Sequence, residues 1–271
     1  MLRDITIGQF FPGDSVMHRL DPRVKIVLTF VYLIAIFLPK TWVGLGLAVA
    51  VLVFAVLLSR LPLKLILKSI KPILPLIVFT SAINIFYIDE GTVLFKWWVI
   101  CITSRGVISS LFIAIRILCL IAGSSLLTYT TSPTALTDAL ERLLSPLKVF
   151  HLHVHELAMM MTIALRFIPT LIEETDKIMS AQKARGADME SGGLIQRVKA
   201  LLPVLIPLFV SSFRRAYELA TAMECRCYHG GDGRTRMKQL HMQARDGLAM
   251  LFMAAVAAAL IWLNFLLPHA L

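Results

Sequence analysis

The sequence predicts an all-α, polytopic membrane protein with about five transmembrane helices and a long helical cytoplasmic insert. Composition supports this: 58% of the 271 residues are hydrophobic and only 16% are charged, whereas soluble domains are about half apolar and a quarter charged. The charges are also unevenly placed. Residues 131–247 hold 27 of the 44 charged residues, which separates a water-facing section from the apolar remainder of the chain.

Five apolar segments have lengths that suit membrane spans, since a helix needs about 20 mostly apolar residues to cross a bilayer. These are residues 24–38, 42–58, 72–87, 106–128 and 248–267. Residues 60–71 differ, because four basic residues follow one helical face there among Leu and Ile. That pattern favours a helix lying at the membrane surface.

Basic residues predict the orientation, because Lys and Arg are concentrated in cytoplasmic loops. They cluster before the first span (Arg3, Arg19, Arg23 and Lys25) and between the second and third spans. We therefore expect a cell-membrane protein with a cytoplasmic N-terminus and an external C-terminus. The predicted parts are 1–130 (N-terminal segment and spans one to four), 131–247 (cytoplasmic insert) and 248–271 (last span).

The insert is predicted to be helical throughout. Ser132 and Pro133 have the residue types of a helix N-cap and first turn. A second helix over 154–184 carries an apolar stripe, and a third runs from 194 to about 228, where glycines end it. Pro203 and Pro207 should bend the third helix. Among the stripe residues are Leu157, Met161, Leu165, Ile168 and Ile172.

Each of these two long helices ends with an arginine between small side chains. The motifs are Ala184-Arg185-Gly186 and Cys225-Arg226-Cys227, and the two arginines lie 41 residues apart. Small neighbours would let a partner approach the backbone, and arginine suits bidentate pairing with a carboxylate. Alternatively, each arginine complements the negative end of its helix dipole.

Other functions have weaker support. Nucleic-acid binding is disfavoured because no basic stripe with interleaved aromatic residues occurs. His151, His153 and His155 could bind a metal, but their spacing of two does not place all three on one helical face. An intramembrane enzyme is disfavoured, because Arg116 lies within a predicted span without a catalytic partner. A stand-alone transporter is disfavoured as well, because the sequence shows no inverted repeat of the kind that such proteins usually have. A stand-alone transporter or a metal-binding membrane protein remains the alternative.

Several motifs resemble those of the energy-coupling factor (ECF) transporter T component, the EcfT family, over nearly the whole chain. They are Ile7-Gly8-Gln9-Phe10, His18-Arg19-Leu20-Asp21-Pro22-Arg23, Glu173-Glu174-Thr175-Asp176, Ala181-Gln182-Lys183-Ala184-Arg185-Gly186-Ala187-Asp188 and Arg214-Arg215-Ala216. The order of these motifs along the chain also matches the family.

The resemblance implies a non-catalytic subunit without a cofactor. Its partners would be two ABC-type ATPases and a membrane-embedded, substrate-binding S component, which would determine the vitamin or micronutrient taken up. Arg185 and Arg226 would be the arginines of two coupling helices, with Cys225 and Cys227 departing from the usual second motif. The stripe from Leu157 to Ile172 would pack against the other helix or the S component.

Overall fold

The computed structural model describes residues 10–87, 92–97, 100–150, 153–187, 193–230 and 240–266. Residue contacts divide the chain into two units. The bundle unit comprises the described residues of Gly8–Ala139 and Gln239–Leu271, and the helix-pair unit those of Leu140–Lys238. The helices are α1 (Pro22–Ala35), α2 (Trp42–Ser59), α3 (Leu63–Ile70), α4 (Leu74–Tyr87), α5 (Ser104–Thr130), α6 (Pro133–Leu144), α7 (Val154–Ala184), α8 (Leu194–Glu224) and α9 (Ala244–Leu266).

The predicted all-α membrane fold is confirmed, with one small addition. Strands β1 (Val93–Trp97) and β2 (Ile100–Thr103) form an antiparallel hairpin between α4 and α5. No periodic pattern in the sequence indicated it. The sequence also predicts that Trp97 and Trp98 lie at the membrane interface, and Trp98 is outside the described residues.

Among the residues that the structure describes, six helical segments are long and apolar enough to cross a membrane. Four coincide with predicted spans: α2, the Leu63–Tyr87 segment, α5 and α9. The first predicted span, 24–38, is a shorter helix, α1, of 14 residues. Its length is about 21 Å at 1.5 Å per residue, and turns continue the chain to Leu38.

The other two segments, Val154–Ala184 and Val198–Glu224, belong to the predicted cytoplasmic insert and are the least apolar of the six. Length and composition alone therefore do not separate them from the spans.

The predicted surface helix over 60–71 corresponds to α3, with Leu63 and Leu67 exposed. A 3-10 turn over Lys71–Ile73 then leads into α4. Because Pro72 lies in this turn instead of in a helix interior, the chain continues from the basic segment into the span without a break in the helical path.

Four helices of the bundle unit, α1, α2, α5 and α9, share an apolar core. Its buried residues are Tyr32, Ala35, Ile36, Ala48, Val51, Cys119, Val256 and Leu260. Gly123 of α5 lets α1 approach closely, because an added Cβ would lie 2.8 Å from Cε1 of Tyr32. The Tyr32 hydroxyl donates to the carbonyl of Ala48, so the aromatic ring also links α1 to α2.

Buried polar groups hold together the end of this bundle where α1 and α9 begin. The carboxylate of Asp246, only 3% exposed, accepts from the backbone N–H of Asp21 and that of Gln243, both at 2.8 Å. Lys25 donates from Nζ to the carbonyls of His18 and Thr130. Segments distant in sequence are thus joined through side chains that lack contact with bulk water, where such bonds are costly to break.

The contacts of Arg116 indicate a structural role for its side chain. Its Nη2 donates to the carbonyl of Pro39 at 2.8 Å, and its guanidinium lies 5.0 Å from the ring centre of Phe112. These contacts tie α5 to the α1–α2 connection and satisfy part of the charge within apolar surroundings.

Candidate coupling surface on the two long helices

Helix α7 ends in a Schellman motif, in which a left-handed residue lets the chain fold back onto the last turn. The backbone N–H of Ala187 donates to the carbonyl of Gln182 at 3.0 Å, and that of Gly186 to the carbonyl of Lys183 at 3.0 Å. Gly186 has φ +86°, a conformation that only glycine adopts without cost. Arg185 is the exposed residue immediately before it.

Helix α8 ends in the same motif. The backbone N–H of Tyr228 donates to the carbonyl of Met223 at 3.1 Å, and that of Cys227 to the carbonyl of Glu224 at 2.9 Å. Cys227 takes the left-handed position with φ +56°. Arg226 therefore occupies the position in α8 that Arg185 occupies in α7. We call these two residues the capping arginines.

Both capping arginines are exposed, as are Ala184 and Cys225 before them. Within the described part of the chain, neither guanidinium makes a hydrogen bond or an ion pair. In particular, neither donates to the last carbonyls of its own helix, where Gln182, Lys183, Met223 and Glu224 accept from backbone N–H groups. Each helix therefore ends in a rigid turn whose cationic side chain is available to a partner.

Three hydrogen bonds between described residues join α7 to α8. Glu174 accepts hydrogen bonds from the hydroxyl of Ser211 and from Nη2 of Arg215, the latter at 2.7 Å. Further along α7, Nε2 of Gln182 donates to the carbonyl of Pro203 at 3.2 Å. Since the contacts advance along α7 while they recede along α8, the two helices run in opposite directions where they pack.

The carbonyl of Pro203 is available because of Pro207. A proline has no N–H and cannot donate to the carbonyl four residues earlier, which here is Pro203. Gln182 supplies the missing donor. The proline pair thus creates the acceptor that fixes α8 against the last part of α7.

The antiparallel arrangement separates the capping arginines. Arg185 lies one turn beyond Gln182, which contacts Pro203, whereas Arg226 lies near the far end of α8. The stretch of α8 from Pro203 to Arg226 measures about 35 Å at 1.5 Å per residue. Two partner surfaces can therefore be contacted at separate places.

The predicted apolar stripe of α7 is largely uncovered. Leu157 and Met161 are about half exposed, at 54% and 48%, and Ile168 is exposed at 36%. Leu165 and Ile172 are half-buried. Helix α8 adds exposed apolar side chains of its own, among them Leu205, Ile206, Phe209, Val210, Phe213 and Tyr217. Apolar area of this extent marks an interface with a protein or with lipid.

The predicted histidine run forms no described metal site. His151 lies outside the described residues, His153 is exposed, and Nδ1 of His155 pairs with Oε1 of Glu141 at 2.9 Å. No group of three or more potential ligands for a metal occurs among the residues that the structure describes. His155 instead ties the start of α7 to α6.

Sequence reasoning missed the Glu174–Arg215 contact, although both residues lie in motifs that it had singled out. The available signal was the opposite charge of the two motifs, since one contains Glu173 and Glu174 and the other Arg214 and Arg215. Because α7 and α8 run antiparallel, no constant offset along the sequence identifies which of these residues pair.

Comparisons with known proteins identify the family of this chain. The family model CbiQ, described as a cobalt transport protein, matches residues 13–238. A protein of Ruminiclostridium cellulolyticum named energy-coupling factor transporter transmembrane protein EcfT is 55% identical over 260 residues, covering 94% of this chain and 97% of that protein.

Proteins of the same name from Clostridium kluyveri and Bacillus subtilis are 53% and 44% identical. The first alignment covers 93% of both chains, and the second covers 97% of this chain and all of its relative. With the six apolar helices, these matches show a multi-pass membrane protein, and the chain belongs to the EcfT family of ECF transporter transmembrane proteins.

Proposed function

We propose that this chain couples the movement of two ABC-type ATPase subunits to a membrane-embedded S component, for uptake of a vitamin or related micronutrient. The observation that carries the proposal is the matched pair of capping arginines, exposed on identical helix ends and held apart by α8. The chain itself performs no catalysis, and ATP is hydrolysed by the partners.

The ATPase contacts are assigned to the two motifs Ala184-Arg185-Gly186 and Cys225-Arg226-Cys227. The flanking residues are small, so a groove on each ATPase can reach the backbone of the Schellman turn. A guanidinium that enters a partly desolvated groove pairs well with a carboxylate, because charge-assisted bidentate hydrogen bonds are among the stronger polar contacts. The free guanidinium groups support this assignment.

The S component is assigned to the exposed apolar stripe of α7, which includes Leu157, Met161 and Ile168, together with the apolar face of α8. Covering these side chains would remove a large apolar area from water or lipid. When ATP binding closes the ATPases, the two helix ends are displaced. The Glu174 and Gln182 contacts transmit this displacement between α7 and α8, and the S component tilts with them.

This function requires residues 131–247 to lie in the cytoplasm, between the parts 1–130 and 248–271. Basic residues before α1 and around α3 favour a cytoplasmic N-terminus, and the polar second halves of α7 and α8 favour contact with water. The apolar first halves would then lie along the membrane surface and the S component.

The test is copurification from cells of the tagged chain with its partners. In the Arg185→Glu/Arg226→Glu variant, we expect both ATPases to be lost, because each substitution places a carboxylate against the partner's carboxylate. The matched control is Arg166→Glu/Arg214→Glu, which makes the same charge change at exposed sites of the same helices, away from their ends. Equal ATPase recovery from both double variants would refute the assignment.

A further inference from the structure

Three arginines meet at one end of the bundle unit. Arg19 precedes α1, Arg60 follows α2 and Arg245 lies in the first turn of α9. Together with Asp14 they line a cavity of about 450 Å³. Because Arg19 pairs with Asp14 at 3.7 Å, the cavity keeps a net charge of two positive units.

A second cavity, of about 330 Å³, continues from the first between α1, α2, α5 and α9. Val16, Phe54, Leu58 and Arg245 line both. Apart from Thr29, Tyr32 and Arg245 its lining is apolar, and the Tyr32 hydroxyl is already bonded to Ala48. The volume is in the range of about 300–1,000 Å³ that is typical of ligand pockets.

The apolar cavity is open along the side of the bundle. Its lining residues Val16, Phe54 and Leu248 are at least half exposed, and the rings of Phe54 and Phe252 lie 5.8 Å apart between α2 and α9. Since α2 and α9 are candidate membrane spans, we expect this opening to face the hydrocarbon of a bilayer and to admit a lipid chain.

Two of the three arginine side chains have no partner among the described residues. The guanidinium groups of Arg60 and Arg245 make neither a hydrogen bond nor an ion pair there. Arg60 also has φ +52°, a left-handed conformation that costs a non-glycine residue about 1–2 kcal/mol. Glycine would end α2 without this strain. Strain of this kind commonly persists at functional sites, where the side chain has a role.

We propose that these two adjoining cavities bind an anionic glycerophospholipid. One acyl chain occupies the apolar cavity between α2 and α9, and the phosphate lies against Arg19, Arg60 and Arg245. Guanidinium groups bind phosphate oxygens bidentately, and anionic lipids attract basic residues at the cytoplasmic leaflet. The apolar cavity selects a lipid over a soluble phosphate, which would leave it unfilled.

The experiment is native mass spectrometry of the full-length chain, titrated with phosphatidylglycerol or phosphatidylcholine that carry the same acyl chains. We expect phosphatidylglycerol to be retained at least tenfold more strongly. Retention should fall at least tenfold in the Arg19→Gln/Arg60→Gln/Arg245→Gln variant, since a basic residue near an anionic surface contributes about fivefold. The matched control is Lys64→Gln/Lys68→Gln/Lys71→Gln, which removes three exposed charges near α3, outside both cavities.

Two further arms separate the headgroup from the chain. Ala249→Phe and, independently, Ala55→Leu reduce the apolar cavity and should lower retention of both lipids, with folding checked by size-exclusion elution. Glycerol phosphate should not displace bound phosphatidylglycerol. Equal retention of the two lipids, equal loss in the two triple variants, unchanged retention in both cavity variants, or displacement by glycerol phosphate would each overturn the proposal.

Discussion

The bundle unit and the helix-pair unit are stabilised differently, although both consist of apolar helices. In the bundle unit, buried polar atoms such as the Asp246 carboxylate and Lys25 Nζ join distant segments, and four helices share one core. In the helix-pair unit, α7 and α8 are joined by side-chain contacts around Glu174 and Gln182. Among the α8 side chains that the structure describes, only that of Val204 is buried. The bundle unit is held together by its own core and buried polar contacts, whereas the helix-pair unit has few buried side chains and exposes surfaces that partners can cover.

This difference predicts where substitutions reduce stability and where they reduce assembly. Changes in the bundle unit should lower the free energy of unfolding strongly. Changes at the helix ends or on the exposed stripe should leave stability nearly unaltered and alter partner binding instead.

The largest effect on stability is expected for Asp246→Ala. The substitution leaves the buried backbone N–H of Asp21 and the partly buried backbone N–H of Gln243 without an acceptor, and an unsatisfied buried donor costs about 1–3 kcal/mol. We expect a loss of about 3 kcal/mol in the free energy of unfolding, measured by chemical denaturation in detergent. The control is Asp138→Ala in α6, where the side chain makes no hydrogen bond to a described residue; equal losses would contradict the comparison.

Intermediate effects are expected at the two Schellman turns, in opposite directions. Gly186→Ala should destabilise its turn by about 1 kcal/mol through backbone strain alone, because an added Cβ at Gly186 meets no atom within 4 Å. Cys227→Gly should stabilise its turn by about the same amount, because it removes that strain.

Hydrogen exchange of the turn amides measures both changes. Exchange of the Ala187 amide should become about fivefold faster in Gly186→Ala, and that of the Tyr228 amide about fivefold slower in Cys227→Gly. If both variants changed exchange in the same direction, the two helix ends would not be equivalent.

The smallest effect on stability is expected for Leu157→Ser/Met161→Ser on the stripe of α7. Both side chains are about half exposed, so the free energy of unfolding should change by less than about 1 kcal/mol. Recovery of the S component with the tagged chain should nevertheless fall. Retained S component together with a large loss of stability would place these residues in the protein's own core.

Helix positions followed closely from the sequence. Helix α7 occupies the predicted 154–184, and Ser132 caps α6 as expected, with Oγ accepting from the N–H of Ala135. Helix α8 ends at Glu224, four residues before the predicted end. The helix ends there because Cys227 adopts the left-handed conformation of a Schellman turn. A cysteine does not predict such a conformation, whereas a glycine such as Gly186 does.

The contacts within the candidate site were harder to predict from the sequence. The capping arginines could be found because they are local motifs at helix ends, each readable from three consecutive residues. The pairing of Glu174 with Arg215 and that of Gln182 with the Pro203 carbonyl depend on how α7 approaches α8. No local pattern fixes that approach.

The sequence by itself determined the membrane class, the positions of the helices, the family and the two arginine motifs. These features depend on composition, periodicity and short motifs, which act over a few residues. Only the tertiary structure decided that Arg185 and Arg226 share one capping geometry, that α7 and α8 run antiparallel, and that Arg19, Arg60 and Arg245 meet beside an apolar cavity. Such arrangements depend on packing between segments far apart in the chain, where burial and the satisfaction of hydrogen bonds select one juxtaposition.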